Sequence, residues 1–254
     1  MKEIFDNYLL FSKKTNLTQA WIKPYWEKIQ MMLNVNIGEC PQIVFTDNED
    51  KWKFHADGDN SKMRAFYDES NSAFVFRAKE HLINSKRIEK YLSVQVVDYV
   101  SNLVSEKSSL CNYKYIVPVM DIYHEMFHHV QYMSGNWQFD VLLESSADIF
   151  TYFLTGHYTD DYEKEMTALW YIGRKMLLLK PHEFYIFVRN SLVDSEFYIE
   201  YFYQNPRIVK QLANEYGGNV ENLFKKMLLL GNKKHTQAMK RDLSRIHNKL
   251  FYKW

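Results

Sequence analysis

The sequence HEMFH at residues 124–128 combines residue types that can bind a metal ion and activate water. Hydrophobic spacing around it predicts an amphipathic helix over residues 118–133. Residues four positions apart lie on one face of a helix, so His124 and His128 project side by side at a spacing that suits one zinc ion. Glu125 directly follows the first histidine and is placed to act as general base on a water molecule at such a metal.

A third metal ligand is expected from the next segment of the chain. Residues 139–154 predict a second helix, and the short turn before it favours an antiparallel hairpin with the first helix. With a rise of about 1.5 Å per residue, His128 and Glu144 both lie roughly 10 Å from that turn and should face each other. Two imidazoles and one carboxylate leave one open position on a four-coordinate metal, as in a catalytic zinc site. Asp148 lies one turn beyond Glu144 and could accept the remaining N–H of a ligand histidine.

The motif and its spacing resemble those of the gluzincin metallopeptidases, the clan of thermolysin. The resemblance covers residues 117–156 and consists of the HExxH pattern, fifteen residues between His128 and Glu144, and the sequence ESSAD. It implies a zincin-like fold, one Zn²⁺ ion as cofactor, and hydrolysis of peptide bonds in a peptide or protein substrate. The residues that it assigns are His124, His128 and Glu144 as ligands, Glu125 as general base and Asp148 as support for a ligand.

The segments before the motif predict a small sheet and a helix that packs against it. Residues 63–68 and 73–78 are two aromatic-rich runs that predict a β-hairpin, and residues 43–46 predict a further strand. The apolar residues of segment 86–106 have helical spacing and predict a helix. In gluzincins, too, the strands are followed by a packing helix and then by the zinc helix. The resemblance implies that the last strand is an edge that pairs with an extended substrate, although its pattern equally fits an ordinary strand. The strand residues concerned are Ala73, Phe74, Val75 and Phe76.

The segments after the motif predict a helical lobe. Breaker residues separate its helices, which are expected over residues 162–179, 184–203, 206–216, 220–230 and 236–251. On the gluzincin pattern this lobe would supply a hydrogen-bond donor to the developing oxyanion, because such a donor typically contributes about 10²–10³ in rate. Four residues are candidates for this donor, and the sequence does not choose among His157, His182, Tyr185 and Tyr198.

Residues 1–33 predict two helices, with Leu9 and Leu10 on the first and Trp26 and Ile29 on the second. Packing of these helices behind the sheet is the simplest arrangement. The alternative is that they cap the cleft and hold the site latent. The final helix, over residues 236–251, is expected to dock through its apolar face and to leave its basic face in solvent.

Few helix breakers and long amphipathic segments predict an α+β protein that is mainly helical. The chain has 8 Gly and 5 Pro among 254 residues, and aromatic residues make up 17%. The expected organisation is an N-terminal lobe of residues 1–116, with helices and a small mixed sheet, and a lobe of residues 117–254 with the zinc-binding hairpin and further helices. Together they should form one compact catalytic unit.

Charge and hydropathy exclude several partners. A net charge of +1 gives no strong field for nucleic acid, and no apolar run is long enough to span a membrane. The first ten residues lack the apolar centre of a secretory signal, and Cys40 and Cys111 are expected to stay reduced. A cytoplasmic location is therefore predicted, with export by a signal-independent route left open. The sequence does not indicate an oligomeric state.

One alternative function belongs to a different class. The protein could keep zinc for binding or sensing and be catalytically silent. Glu125 argues against this alternative, because a structural zinc has no need of a general base. Structural sites also generally have four protein ligands, whereas three are predicted for this chain.

Overall fold

A computed structural model describes most of the chain. The described residues are 8–12, 18–53, 64–83, 86, 113–135, 140–158, 162–194, 197–229 and 233–251. Contacts divide the chain into two compact units, Met1–Met126 and Phe127–Trp254. The division falls within one helix, Val119–Met133, which therefore contributes residues to both units. Among the described residues, no helix combines the length and the apolar character needed to cross a membrane.

The first unit contains a mixed three-stranded sheet. Its strands are β2 (Gln42–Thr46), β3 (Ala65–Asp68) and β4 (Ala73–Arg77), in the order β2-β4-β3. β3 and β4 are antiparallel and form the predicted hairpin, while β2 runs parallel to β4. This small sheet, in a chain whose other elements are mostly helices, confirms the expected α+β class and its mainly helical content.

The predicted substrate edge is wrong, because β4 is the central strand. Ala73 and Phe76 are each paired on both sides, with Gln42 and Phe45 of β2 and with Asp68 and Ala65 of β3. Every residue of β4 is buried, as expected for a continuous apolar run in a central strand. No backbone edge of β4 is left for an extended peptide. The strand residues to which this correction applies are Ala73, Phe74, Val75 and Phe76.

A second, two-stranded sheet replaces part of the predicted N-terminal helix. β1 (Tyr8–Ser12) pairs antiparallel with β5 (Tyr113–Pro118), so the helix expected over these first residues is wrong. Leu9 and Phe11 are both buried, and this alternation is the two-residue period of a strand. β5 was not predicted from the sequence, and it leads directly into the helix Val119–Met133.

The helices of the first unit are α1 (Thr18–Leu33), α2 (Glu49–Lys53) and α3 (Ala78–His81). α1 confirms the second predicted N-terminal helix and buries Trp26 and Ile29. The Trp26 ring lies 6.5 Å from the Phe74 ring of the central strand, and its Nε1–H donates to the Gly38 carbonyl at 3.2 Å. α1 therefore packs against the sheet, as the simplest arrangement predicted. The predicted packing helix, residues 86–106, lies outside the described residues except for Lys86.

Helices make up the described part of the second unit. In chain order, with the shared helix first, they are α4 (Val119–Met133), α5 (Asp140–Thr155), α6 (Glu163–Tyr171), a π-helical turn (Ile172–Met176), α7 (Pro181–Val193), α8 (Phe197–Tyr203), α9 (Pro206–Glu215), α10 (Val220–Leu229) and α11 (Lys233–Phe251). The helices expected on both sides of the hairpin turn are confirmed. The helix predicted over residues 184–203 is instead divided in two. The Asp194 carboxylate accepts the N–H of Phe197 and caps the new start.

The π-helical turn allows close packing against α7. Gly173 lies in this turn, and a Cβ atom there would come within 2.5 Å of the Phe184 ring. Real Cβ atoms do not approach a buried ring so closely, so glycine is required by the contact and not by its backbone angles. The Leu177 N–H donates to the Ile172 carbonyl across five residues, which is the π-helical pattern.

The last helix, α11, docks through an apolar stripe. Met239, Leu243 and Ile246 are all buried, which confirms that the helix packs on the protein. The Asp242 carboxylate on the same helix accepts hydrogen bonds from the Trp170 indole at 3.0 Å and from Arg174 Nε at 2.6 Å. These bonds join α11 to α6 and to the π-helical turn.

Candidate metal centre

The two helices of the predicted hairpin hold the candidate site. α4 ends at Met133, and Gly135 with φ of +68° provides the left-handed residue that commonly follows a helix. His128 of α4 contacts Glu144 of α5, and Gln131, one turn further along α4, contacts Leu143 and Ser146. The two helices therefore meet at the positions that the spacing of the predicted ligands requires.

Three side chains converge on one point. His124, His128 and Glu144 each offer a ligand atom, and these atoms all lie within 4.8 Å of one another. His128 Nε2 and Glu144 Oε2 lie 3.4 Å apart. His124 is buried, and the other two are half-buried. The convergence expected from the sequence is therefore present, and the three residues could hold a metal ion.

The spacing of these atoms fits a small divalent ion. Zinc binds imidazole nitrogen and carboxylate oxygen at about 2.0–2.2 Å, so tetrahedral neighbours lie about 3.3–3.5 Å apart. The 3.4 Å between His128 Nε2 and Glu144 Oε2 matches that edge, and the 4.8 Å limit leaves only small side-chain adjustments to close the set. Imidazole and carboxylate ligands suit zinc and also other first-row metals. The structure therefore supports a metal site without selecting the metal.

Gln131 contacts one candidate ligand, His128, and also forms hydrogen bonds to the helix that carries another, Glu144. Its Oε1 lies 2.9 Å from His128 Nδ1, and its Nε2 donates to the Leu143 carbonyl at 3.0 Å and to Ser146 Oγ at 3.0 Å. Gln131 is completely buried, as is Ser146. This residue was not predicted from the sequence. The available signal was its position three residues after His128, on the same helical face.

Two further carboxylates contribute to the electrostatics of the site. Asp148 is fully buried one turn beyond Glu144, and its expected role as an acceptor for a ligand histidine stays a prediction. Burial raises the pKa of Glu165 on α6, and the charges of Glu144 and Asp148 raise it further. Negative charge is thus concentrated where a cation would be favoured. No local pattern in the sequence indicated Glu165, because its location depends on the packing of α6.

Glu125, the expected general base, is buried beside the ligand His124. Only 4% of its surface is exposed, so its carboxylate is largely removed from solvent. It does not belong to the convergent group of potential ligands, which consists of His124, His128 and Glu144. This is compatible with a residue that acts on water and does not bind the metal. Its catalytic role stays a prediction.

Of the expected oxyanion donors, the two described histidines, His157 and His182, are not in the group of potential ligands. His157 is exposed, and its backbone N–H is bonded to Thr155 Oγ1; His182 is exposed in the first turn of α7. Tyr185 is half-buried, and its ring stacks on Phe150 at 5.5 Å, where burial raises its pKa. Tyr198 lies in α8, and its side chain is outside the described part of the chain. The identity of a donor stays a prediction.

A buried histidine fixes the start of α4. The Nδ1–H of His81 donates to the Arg77 carbonyl at 3.0 Å, and its Nε2 lies 3.5 Å from Asp121 Oδ2. His81 is fully buried, and Asp121 lies in the first turn of α4. A carboxylate there is stabilised by the positive end of the helix dipole. This pair, which was not predicted from the sequence, attaches α4 to α3.

Comparisons with known proteins do not identify a family. No protein-family model matches the sequence, and neither a curated protein nor a solved structure shows significant similarity to the chain. The resemblance to gluzincins is therefore carried by the motif residues and their spacing alone.

Proposed function

We propose that this protein is a zinc-dependent metallopeptidase. The observation that carries the proposal is the convergence of His124, His128 and Glu144 from two helices, with Glu125 next to His124 in the sequence. Two imidazoles and one carboxylate are a ligand set used by catalytic zinc in peptidases. The zincin-like assignment of the fold belongs to this proposal.

The chemistry divides between the ion and the chain. When bound, zinc would polarise the scissile carbonyl and make water more acidic. Glu125 takes a proton from the attacking water and returns it to the leaving amine, so that one carboxylate serves as base and then as acid. His124, His128 and Glu144 are the residues that would hold the ion.

The number of protein ligands favours an enzyme over a silent zinc protein. Structural zinc sites are generally closed by four protein ligands, whereas catalytic sites keep one position open. The convergent group contains three residues among those described. A fourth position is thus left for water or a substrate carbonyl. This argument supports turnover but does not select a substrate sequence.

The decisive experiment compares the wild-type protein with Glu125→Gln on an unbiased peptide library, with zinc content measured in both. We expect the variant to bind zinc normally and to lose about 10²–10⁴ in hydrolysis rate, which is the usual contribution of a general base. His128→Ala should lose the metal. His129→Gln is the matched control, because His129 is the adjacent buried histidine and is not in the group of ligands.

Two outcomes would contradict the proposal in different ways. If Glu125→Gln hydrolyses peptides as fast as the wild type, Glu125 is not the base. If the wild type binds zinc in equimolar amount and cleaves no library peptide, the silent binding or sensing alternative is favoured.

A further inference from the structure

The hydrogen-bond partners of Gln131 determine which of its two amide atoms is the nitrogen and which is the oxygen. Its two amide heavy atoms face different kinds of partner: one faces the Leu143 carbonyl and Ser146 Oγ, and the other faces His128 Nδ1. A backbone carbonyl can only accept a hydrogen bond. The amide nitrogen must therefore be the atom that faces Leu143. This fixes the amide orientation, and the Gln131 oxygen is the atom 2.9 Å from His128 Nδ1.

The orientation of the amide determines the proton on the histidine. An amide oxygen only accepts, so His128 Nδ1 must carry the hydrogen in this contact. In a neutral imidazole, a proton on Nδ1 leaves the lone pair on Nε2. Nε2 is the atom that lies 3.4 Å from Glu144 Oε2, within the group of potential ligands. The lone pair on Nε2 thus faces Glu144, at the place where a metal would bind.

We propose that Gln131 is a positioning residue that selects the Nδ1–H tautomer of His128 and so presents Nε2 as a metal ligand. The inference about the metal depends on the proposed function, whereas the tautomer of His128 can be measured without any metal. Gln131 acts through His128 and does not enter the group of ligands itself.

The same amide also positions the opposing ligand. Leu143 and Ser146 flank Glu144 on α5, so the bonds from Gln131 Nε2 hold the turn of helix that carries this carboxylate. One buried side chain therefore orients His128 on α4 and anchors the segment that contains Glu144. Because Gln131 is completely buried, water does not compete for either set of bonds.

Because the group that accepts the His128 Nδ1–H is a neutral amide, it has an electrostatic effect different from that of a carboxylate. Partners of ligand histidines are often carboxylates, which add negative charge next to the metal. Glu144 and Asp148 already place two carboxylates here, and after burial their charges are among the causes that raise the pKa of Glu165. A neutral acceptor orients the ring without adding a further buried charge.

The first test needs no variant. Long-range ¹H–¹⁵N NMR of the zinc-free wild-type protein, at a pH where His128 is neutral, reports which ring nitrogen carries the proton. We expect the Nδ1–H tautomer at His128. Observation of the Nε2–H tautomer would overturn the proposal directly.

The second test measures zinc affinity by competition with a chromophoric chelator. Gln131→Met keeps the side-chain length and removes the acceptor, and we expect zinc binding to weaken about 10- to 100-fold, as is usual when the partner of a ligand histidine is lost. Gln131→Glu keeps an acceptor oxygen for His128 and should retain the Nδ1–H tautomer that Gln131→Met loses. Ser146→Ala leaves the contact between Gln131 and His128 intact, so its loss of affinity should be much smaller.

Comparison with His128→Ala separates the two proposals. If His128→Ala binds zinc like the wild type, the metal site itself is wrong. If His128→Ala loses zinc while Gln131→Met binds it as tightly as the wild type, the site stands and the role of Gln131 is overturned. Circular dichroism of each variant establishes that it is folded, and the wild-type tautomer decides the question if Gln131→Met does not fold.

Discussion

The pair of His128 and Glu144 is the part of the site with the best-defined geometry. Their facing atoms are 3.4 Å apart, and both side chains are half-buried. A carboxylate and an imidazole at this distance are bridged either by a proton or by a cation. The sequence spacing places both residues at about the same distance from the hairpin turn, and this explains why they meet.

Glu144→Gln tests whether this carboxylate is a ligand. The substitution preserves shape but replaces an anionic oxygen with a neutral amide, which is a much poorer partner for zinc. We expect zinc affinity to fall by at least about 100-fold, beyond the 10- to 100-fold typical of groups that only support a ligand. Competition with a chromophoric chelator measures the change.

Glu165→Gln is the matched control for Glu144→Gln. Glu165 shares the local negative field, since the charge of Glu144 helps to raise its pKa, but it is not in the convergent group. Its loss should weaken zinc binding far less. Equal losses in the two variants would mean that general negative charge, and not ligation by Glu144, attracts the ion.

At the residue scale, positions determined by local geometry could be predicted from the sequence, whereas positions determined by packing could not. The helical period determines that His124 and His128 lie on one face, and the length of the two helices of the hairpin determines that Glu144 lies opposite His128. Gln131 and Glu165 could not be assigned, because their partners are brought close only by the packing of α5 against α4 and α6.

At the scale of elements, one carboxylate fixes the last helix. Burial alone would raise the pKa of Asp242, but hydrogen bonds from Arg174 and Trp170, with the charges of Arg174 and Arg245, outweigh it and hold the pKa below its ordinary value. The Arg174 and Asp242 side chains are each 16% exposed, so solvent screens their interaction only partly. α11 is therefore attached to the π-helical turn by charge and to α6 by the hydrogen bond from Trp170, as well as by its apolar stripe.

Asp242→Asn should destabilise the protein in a pH-dependent way. Because the pKa of Asp242 is lower in the folded state, its charge stabilises the fold above the unfolded value of about 3.9, and this contribution is lost as the pH falls. At neutral pH we expect the free energy of unfolding to drop by about 1.5–3 kcal/mol, as for hydrogen bonds to a charged group. Urea denaturation of both proteins over a range of pH measures the difference.

The pH profile distinguishes this cause from a packing defect. The difference between wild type and Asp242→Asn should be greatest near neutrality and should shrink below about pH 4, as Asp242 becomes protonated in the wild type. If the two proteins differ in their free energy of unfolding by the same amount at all pH values, the charge of Asp242 does not stabilise the packing of α11.

Elements whose periodicity is long and regular could be predicted, whereas short ones could not. α5 and α11 have many turns of apolar spacing, and their positions are confirmed within a few residues. β1 has only five residues, and its Leu9-Leu10-Phe11 run fits either period until β5 supplies a partner. β4 is central because β2 pairs with it in parallel, and no local sequence pattern specifies that pairing.

At the scale of the whole molecule, α4 connects the two compact units. It begins in Met1–Met126, where Asp121 contacts His81, and it ends in Phe127–Trp254, where Gln131 contacts α5. The α+β class could be predicted from composition and periodicity, because 8 Gly and 5 Pro leave few breaks in the helices. The division within α4 could not, since helical periodicity is the same on both sides.

Zinc should stabilise the folded protein. An ion that binds only the folded state adds RT ln(1 + [Zn²⁺]/Kd), or about 2.7 kcal/mol at a concentration of 100 Kd. The chain has nine histidines and two cysteines that can bind zinc weakly when unfolded, so the observed gain should be somewhat smaller. We expect the thermal unfolding midpoint of the zinc-free wild type to rise with zinc concentration and to return to its initial value with a chelator. His128→Ala should show no such rise. A wild-type midpoint that is independent of zinc would contradict a preformed site, because His124, His128 and Glu144 come together only in the folded state.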